Sequence, residues 1–415
     1  MRRFDVIVIG GGAAGVMAAG VAAGAGYNVL LCEKMEKPQR KVRITGKGRC
    51  NLTNMRSGTE FLNHVHESPE FVGEALRVFS NKDAYAFFER IGVPLAVERG
   101  DRVFPVSGKA WDVAEAHIRW CREQGAVIEC GVKVVDICSE HGRVTGVVAE
   151  NRRGETERIV AIQVILATGG VSYPATGSTG DGYLLAHRLG HTIVEVRPSL
   201  TPLETNVSGV RALKGLSLRN IAASLRVDGT IFCREFGEME FTPYVAGPVV
   251  LRMSRSAVDA LIDGRQVEIV LDLKPALSEK QLQNRLLREW KALDGKADRK
   301  RLLRKLLPAQ LLPLFDSRLP FRPDNKFSCS EQECSHIIRL LKEFVLPIDD
   351  YRPFEEAIVT AGGVSTDEID PRTMQSLRVK GLYFAGEVID IDADTGGYNL
   401  QLAYSTGYLA GNLKV

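Results

Sequence analysis

The chain has 415 residues, 45% hydrophobic and 25% charged, with a formal net charge of +3 at pH 7. This is the composition of an ordinary soluble globular protein, and the length calls for two or three domains. The near balance of charge removes any global argument for nucleic acid or membrane as partner, and no run approaches the ~18 apolar residues of a membrane span.

The first element is Val6-Ile7-Val8-Ile9, a β-branched run that reads as a strand buried on both faces of a parallel sheet. It breaks at Gly10, and an alanine-rich helix begins at Ala13 and Ala14. The spacing Gly10-x-Gly12-x-x-Gly15 therefore falls where a diphosphate-cradling turn belongs. Gly10 permits the turn, Gly12 admits the diphosphate to the backbone, and Gly15 lets the helix pack on the strand. The helix start offers free N–H groups and a positive dipole end to the anion. Tyr27 to Glu33 reads as the second strand, and Glu33 lies where a carboxylate accepts hydrogen bonds from a ribose. Arg2-Arg3 runs directly into the first strand, so no secretory signal is expected. The eight cysteines make no CxxC pair and no zinc spacing, so reduced thiols, a cytoplasmic location and no metal are expected.

Lys34 to Asn54 is basic and turn-rich, with seven Lys or Arg residues between Lys34 and Arg49. Its second half, with Gly46, Gly48, Arg49, Cys50 and Asn51, is expected to wrap a diphosphate and a polar ring system. Glu70 to Gly92 and Trp111 to Gly125 read as amphipathic helices flanking a hairpin at 95–107. Strands are expected at 126–130 and 133–137, continuing as a meander to 161. Gln163 to Leu166 is another buried strand, ending Ala167-Thr168-Gly169-Gly170. Such a turn lays its backbone against the cofactor in flavoproteins with two dinucleotide-binding domains. A polar loop from Ser172 then leads into a helix starting near Asp181.

Past Gly190 the texture changes. Residues 192–260 read as strands and turns, and 277–346 as charged helices. Lys296 to Lys305 carries six basic residues and one acid, either a solvated helix face or a polyanion-binding patch. The chain then returns to apolar strands at 356–364 and 382–387, the latter running through Gly386 to the acid Glu387. Gly396-Gly397-Tyr398-Asn399-Leu400-Gln401 opens the last helix, whose N-terminus is suited to the pyrimidine side of a flavin.

Together these segments resemble the YhiN/BaiN-like family of FAD-dependent flavoproteins. The resemblance covers nearly the whole chain and is carried by Gly10 to Gly15, Thr45 to Asn54, Ala167 to Tyr183, Thr360 to Val364 and Gly381 to Glu387. It is most specific at Gly48-Arg49-Cys50-Asn51 and at Gly396 to Gln401. It implies an α/β fold with a Rossmann-like FAD domain built from both chain ends (1–190 and 355–415). A β-barrel-like domain (191–275 and 347–354) would be inserted, carrying a small helical subdomain (276–346). It also implies FAD contacts at Ala14, Glu33, Lys41, Asn51, Val134, Glu387 and Asn399. The wider expected cofactor set adds Gly10, Gly12, Ala13, Gly15, Lys34, Gly46, Gly48, Arg49, Cys50, Ala167, Thr168, Gly169, Gly386, Gly397 and Leu400. Two departures stand out. Pro243 occupies the place of a family histidine in a segment one residue shorter, and Leu377 replaces a usual lysine. A mechanism resting on that histidine does not carry over.

The expected chemistry is hydride transfer from N5 of a non-covalent FAD to an activated C=C of a small molecule, with NAD(P)H as transient reductant. Arg49, Tyr173 and Tyr398 are the candidate polarising or proton-donating groups. Family members described as aminoacetone-oxidase-like or as reductases of a bile-acid enone frame the alternatives. One is an amine oxidase using oxygen. Another is reduction of uridine in RNA to dihydrouridine, with Arg299, Lys300, Arg301, Arg304 and Lys305 clamping the polyanion. The third is a flavin redox sensor without turnover.

Overall fold

The computed structural model describes residues 2–293, 298–321 and 327–413. The chain forms two compact units, Met1–Ser199 with Phe354–Val415, and Leu200–Pro353.

The first unit is built on a five-stranded sheet in the order Leu382–Phe384, Gln163–Leu166, Val6–Ile9, Val29–Glu33, Val127–Cys130. All four pairings are parallel. The two apolar runs read from sequence as doubly covered strands are wholly buried. Strand order reverses around Val6–Ile9, which pairs with Gln163–Leu166 on one side and Val29–Glu33 on the other. Ligands of open α/β sheets bind outside the carboxyl ends of the strands at such a switch point.

The opening helix, Ala13–Gly24, is almost all Ala, Gly and Val, and ten of its twelve residues are buried. An all-apolar helix without a polar face has to be covered on every side. The final helix, Tyr398–Gly411, covers one of them at backbone distance. A Cβ on Gly407 would overlap the Ala14 carbonyl, and one on Gly411 would lie 2.5 Å from the Ala18 oxygen. Chain ends that are far apart in sequence are thereby packed backbone to backbone.

The expected meander is present as Val132–Glu140, Arg143–Asn151 and Thr156–Val160. The expected hairpin, Leu95–Glu98 with Arg102–Pro105, gains Thr53–Asn54 as a third strand. Ile193–Ser199, read as part of the inserted domain, instead pairs antiparallel with Val359–Val364 of the first unit. The passage out of this unit therefore falls after Ser199 rather than near 190. Close by, Glu368 accepts from the Thr192 N–H and hydroxyl (both 2.9 Å) and from Arg378. Burial alone would raise this carboxyl, but Arg378 and Thr192 outweigh it and bring it down from 4.5 to about 2. A pKa depressed in the folded state gives stability that is complete above the unfolded value and is lost as pH falls through the folded one. Glu368→Gln is therefore expected to lower the urea midpoint at pH 7, with the gap from the parent closing between pH 4.5 and about 2.

The second unit holds a seven-stranded antiparallel sheet in the order Phe344–Ile348, Val267–Asp272, Ser217–Val227, Thr230–Phe241, Val245–Ala246, Leu203–Glu204, Asp350–Tyr351. Its two edge strands are consecutive in the chain, with Asp349 alone between them. Laid flat, seven strands would put those edges roughly 29 Å apart, far beyond the reach of one residue. The sheet must therefore curl enough to bring those edges within reach of one residue. Its long hairpin turns at Asp228-Gly229, both in the left-handed region (φ 46 and 80) that a two-residue hairpin turn demands. The helical stretch appears as Glu279–Ala292, Arg299–Arg304, Leu312–Ser317 and Glu331–Lys342. One element reverses the sequence reading. Pro248–Ile262, taken as part of a strand-rich region, is a helix of 15 residues with Pro248 in its first turn. Val249 and Val250 suggest a strand locally, but six of the eight buried positions, 249, 250, 253, 254, 257 and 258, follow helical spacing.

Candidate cofactor and active site

Three glycines at the opening turn behave differently. Gly10 has φ +102, and a Cβ there would lie 2.5 Å from the Ala167 carbonyl oxygen. A Cβ on Gly15 would overlap the Gly10 oxygen. Gly12 sits at an ordinary φ of −77, and a Cβ on it would meet nothing within 4 Å. The first two glycines are needed by the protein itself, whereas Gly12 faces open space. The opening helix begins there with Ala13, Ala14 and Gly15 buried, no side-chain cap and no acid in its first turn. A buried helix start without a cap leaves several N–H donors unfilled, and a diphosphate supplies both their acceptors and the charge their dipole favours. Glu33 accepts from the Gly11 N–H (2.7 Å) and the Met35 N–H (2.8 Å), one per carboxylate oxygen. Each oxygen keeps a lone pair for a ribose hydroxyl. Burial raises the Glu33 pKa, opposed by those two backbone bonds.

The final helix repeats the arrangement. Its N-cap, Gly397, has φ +100, and a Cβ there would overlap the Thr53 backbone. This helix too lacks a side-chain cap and an acid in its first turn. Asn399, expected to touch the cofactor, spends its amide on the preceding turn. It accepts from the Ala393 N–H (3.0 Å) and donates to the Ala393 oxygen (2.7 Å). Asn54 donates to the Gly396 oxygen at 3.1 Å, tying this turn to the basic loop. In that loop Gly46, Lys47, Gly48 and Cys50 all have positive φ. Asn51 Oδ1 is buried without a hydrogen-bond partner, an acceptor that a ligand N–H would satisfy.

Glu387 joins the remaining segments. It accepts from Lys41 Nζ (2.7 and 3.0 Å) and from the Thr360 N–H (2.8 Å). Thr360 Oγ1 in turn accepts from the Val171 and Ser172 N–H groups (2.9 and 3.1 Å). This chain holds the turn that follows Ala167, Thr168 and Gly169 against the end of the last strand. Gly386 has φ +74, and a Cβ on it would lie 2.8 Å from the Ala14 methyl. Lys34 is engaged by Asp181 (2.7 Å) and Thr179. Val134 is buried in the meander, and Leu400 is partly buried against the helices beside the loop.

Of the three proposed catalytic side chains, Arg49 and Tyr398 have partners of their own. Arg49 is paired with Glu98 and lies over the Phe104 ring at 4.3 Å; Glu98 raises its pKa. Tyr173 has φ +51, and burial raises its phenol. Tyr398 is 3% exposed, with its ring stacked on His64 at 4.4 Å and edge-on to Phe61 at 4.8 Å. Cys50, in the most specific motif, is fully buried, and burial pushes its thiol up to about 12. A neutral buried thiol is no nucleophile toward a flavin ring.

Beside Tyr398 lies a cluster that sequence reasoning missed. His64 Nδ1 is 2.7 Å from Asp394 Oδ2, and His66 Nε2 is 3.2 Å from Oδ1. Arg56 Nη1 is 2.9 Å from His64 Nε2. Arginine only donates, so His64 Nε2 must accept, and its Nδ1–H donates to Asp394. Burial would raise Asp394, but the two histidines hold it below the ordinary carboxylate range. A bridge between Val65 and Ala393 brings the segments together. The only local signal was His64-x-His66 itself; the partner is 330 residues away.

Among the described residues, no group of three His, Cys, Asp or Glu side chains is arranged to hold a metal, and no helix is long and apolar enough to cross a membrane.

A doubly covered parallel sheet closed by both chain ends, with two uncapped glycine helix starts, is the architecture of a flavin-dependent oxidoreductase. The chain belongs to the HI0933-like Rossmann-domain family, whose model matches residues 4–413. It is 33% identical to the 3-dehydro-bile acid delta(4,6)-reductase of Clostridium scindens over 97% of both chains. It is 28% identical to the ribosomal RNA dihydrouridine synthase of Escherichia coli, covering 98% of this chain and 97% of that one. In fold it is similar to the 3-ketosteroid-delta4-(5alpha)-dehydrogenase of Rhodococcus jostii, with TM-score 0.51 and 16% identity over 99% of this chain and 96% of that one.

Proposed function

We propose that this protein binds FAD without a covalent bond and reduces a carbon–carbon double bond conjugated to a carbonyl in a small molecule. The observation that carries the reading is the Arg56–His64–Asp394 chain lying directly ahead of the uncapped start of the final helix. Saturating an enone takes a hydride at one carbon, a proton at its neighbour and stabilisation of transient negative charge on oxygen. FAD, when bound and reduced, supplies the hydride, and NAD(P)H is the proposed reductant. Glu33 would hold the adenosine ribose, the N–H groups after Gly12 the diphosphate, and Asn51 with the Gly397 helix start the ring. Asp394 keeps His64 in one tautomer. On taking a proton at Nε2, His64 would release Arg56 and become an acid paired with Asp394. The similarity to a bile-acid delta(4,6)-reductase supports a conjugated ketone as substrate.

Acid precipitation of the purified yellow protein is expected to release all the flavin, because Cys50 is held as a buried thiol. Colour retained in the pellet would contradict the non-covalent reading. Anaerobic mixing with NADPH or NADH is expected to bleach the flavin with one of them, followed by slow re-oxidation in air. Indifference to both nucleotides with rapid turnover on an amine and oxygen would favour the oxidase.

A second reading, uridine reduction in ribosomal RNA, is supported by the similarity to the dihydrouridine synthase. The 5,6 bond of uracil is itself an enone-type acceptor. The proposed basic clamp is smaller than its sequence suggested. Arg299 is bound by Asp316 through two bonds (2.7 and 3.0 Å), and Arg301 lies 3.2 Å from Asp298. Lys300, Arg304 and Lys305 remain exposed, and Lys296 lies outside the described residues. Mass spectrometry of ribosomal RNA from cells lacking this protein decides between them: loss of a dihydrouridine favours RNA, an unchanged set the small molecule.

A further inference from the structure

We propose that Cys329 and Cys334, in the second unit, are a thiol–disulfide site that closes reversibly under hydrogen peroxide and reopens with a dithiol or glutathione. Their Sγ atoms are 2.9 Å apart, and Cys334 Sγ is also 3.4 Å from the Cys329 carbonyl oxygen. Both residues are free thiols in the structure. They are 5% and 1% exposed and belong to the second unit's buried core. Bond formation then asks for a closing movement of about 1 Å, since a disulfide holds its sulfurs about 2.05 Å apart.

The approach is built by the surrounding chain. Cys334 lies in the first turns of Glu331–Lys342, and Cys329 immediately precedes its N-cap, Ser330. Ser330 and Glu333 form a capping box, and the Ser328 hydroxyl adds a further bond to the Glu333 carboxylate (2.9 Å). These bonds fix the loop on which Cys329 sits, in a left-handed conformation (φ +59) uncommon for a residue with a Cβ. The other fully buried thiols behave differently. Burial pushes Cys32, Cys50 and Cys121 each up to about 12, and such thiols are inert. In the pair one sulfur donates to the other. That hydrogen bond lowers Cys334 below the ordinary thiol range and raises Cys329. Position near a helix N-terminus favours a thiolate in the same sense.

With the shared proton on Cys329, Cys334 in the first turn of the helix is the attacking sulfur. Its thiolate displaces hydroxide from hydrogen peroxide and becomes a sulfenic acid; the Cys329 sulfur then attacks it, forming the S–S bond and expelling water. Two thiols lose two electrons and two protons, and one peroxide becomes two waters. Reduction by thiol–disulfide exchange runs through a mixed disulfide with the added thiol. The linkage would pin the segment carrying Phe327, whose ring packs edge-on to Trp290 at 5.1 Å.

The test treats FAD-loaded protein with equimolar peroxide, then denatures it in acid and alkylates it for non-reducing peptide mass spectrometry. The expected result is a peptide carrying both cysteines, lighter by two hydrogens, unalkylated until dithiothreitol is added, with the other six cysteines alkylated throughout. The parent should also gain a dithiothreitol-reversible rise in thermal midpoint. A C329S/C334S double variant should keep its flavin and turnover but lose that rise. Both thiols remaining alkylatable, over-oxidation to sulfinic acid without a cross-link, or a link to any other cysteine would each overturn the proposal. None of these results depends on which substrate the flavin reduces.

Discussion

Gly12→Asp is expected to weaken FAD binding by roughly 10³-fold and leave the fold intact. The backbone at Gly12 is one any residue adopts, and a side chain there meets no heavy atom within 4 Å. The substitution therefore has no packing cost of the kind that overfilled cores show. Its carboxylate would instead stand at the open start of the opening helix, in the space assigned to the diphosphate. Two like charges about 4 Å apart repel by about 4 kcal/mol at an effective dielectric near 20, which corresponds to roughly a 10³-fold loss of affinity. Calorimetric titration of apo-protein with FAD reads the affinity, and urea unfolding of the apo-protein reads the fold. Gly15→Ala supplies the contrast, because its methyl would overlap the Gly10 carbonyl and damage both. A Gly12→Asp protein that binds FAD like the parent would remove the diphosphate from this turn.

The second large effect is expected at Asp394, where Asp394→Asn should keep the flavin and lose turnover. The amide has nearly the same shape, and the Asn399 bonds that fix the turn go to the backbone of Ala393 rather than to the Asp394 side chain. What disappears is the negative charge facing His64 and His66. Without it a protonated His64 would stand beside Arg56 uncompensated. Loss of a positioned proton donor typically costs about 10²–10⁴-fold in rate. The pH profile gives an independent check. Asp394 is held below the ordinary carboxylate range, so it stays ionised well into acid. Its support of the folded state is complete above the unfolded carboxylate pKa and is lost as pH falls through the depressed folded value. The parent is thus expected to show no acid loss of activity from this group near the ordinary carboxylate value of 3.8. Unchanged turnover in the Asp394→Asn holoprotein would take the pair out of the chemistry.

What was legible in the sequence was local. Val6 to Gly15 declares a strand, a turn and a helix start within ten residues, because burial on both faces and close backbone approach each demand particular residue types at adjacent positions. Gly396-Gly397 is legible for the same reason. Charges were read less well, because what neutralises them comes from elsewhere in the chain. Arg49 and Lys34 were read as cofactor contacts, but the hairpin brings Glu98 to the first and the polar loop brings Asp181 to the second. Asn399 has the right residue type for a ligand but spends its amide on its own turn. His64 and Asp394 were invisible as a pair, since no periodicity links positions 330 residues apart. Pro248–Ile262 was misread because adjacent valines favour a strand locally, whereas its helical spacing emerges only over several turns.

The central claim, reduction of a C=C conjugated to a carbonyl, is tested most directly by a single turnover without oxygen. FAD-loaded protein, photoreduced until colourless under argon, is mixed with a conjugated dienone, and absorbance of the oxidised flavin is followed while the product is weighed by mass spectrometry. The account predicts that the yellow colour returns in step with a product heavier by two hydrogens. Protein that stays bleached in the presence of the dienone, yet recolours at once when air is admitted, would contradict it.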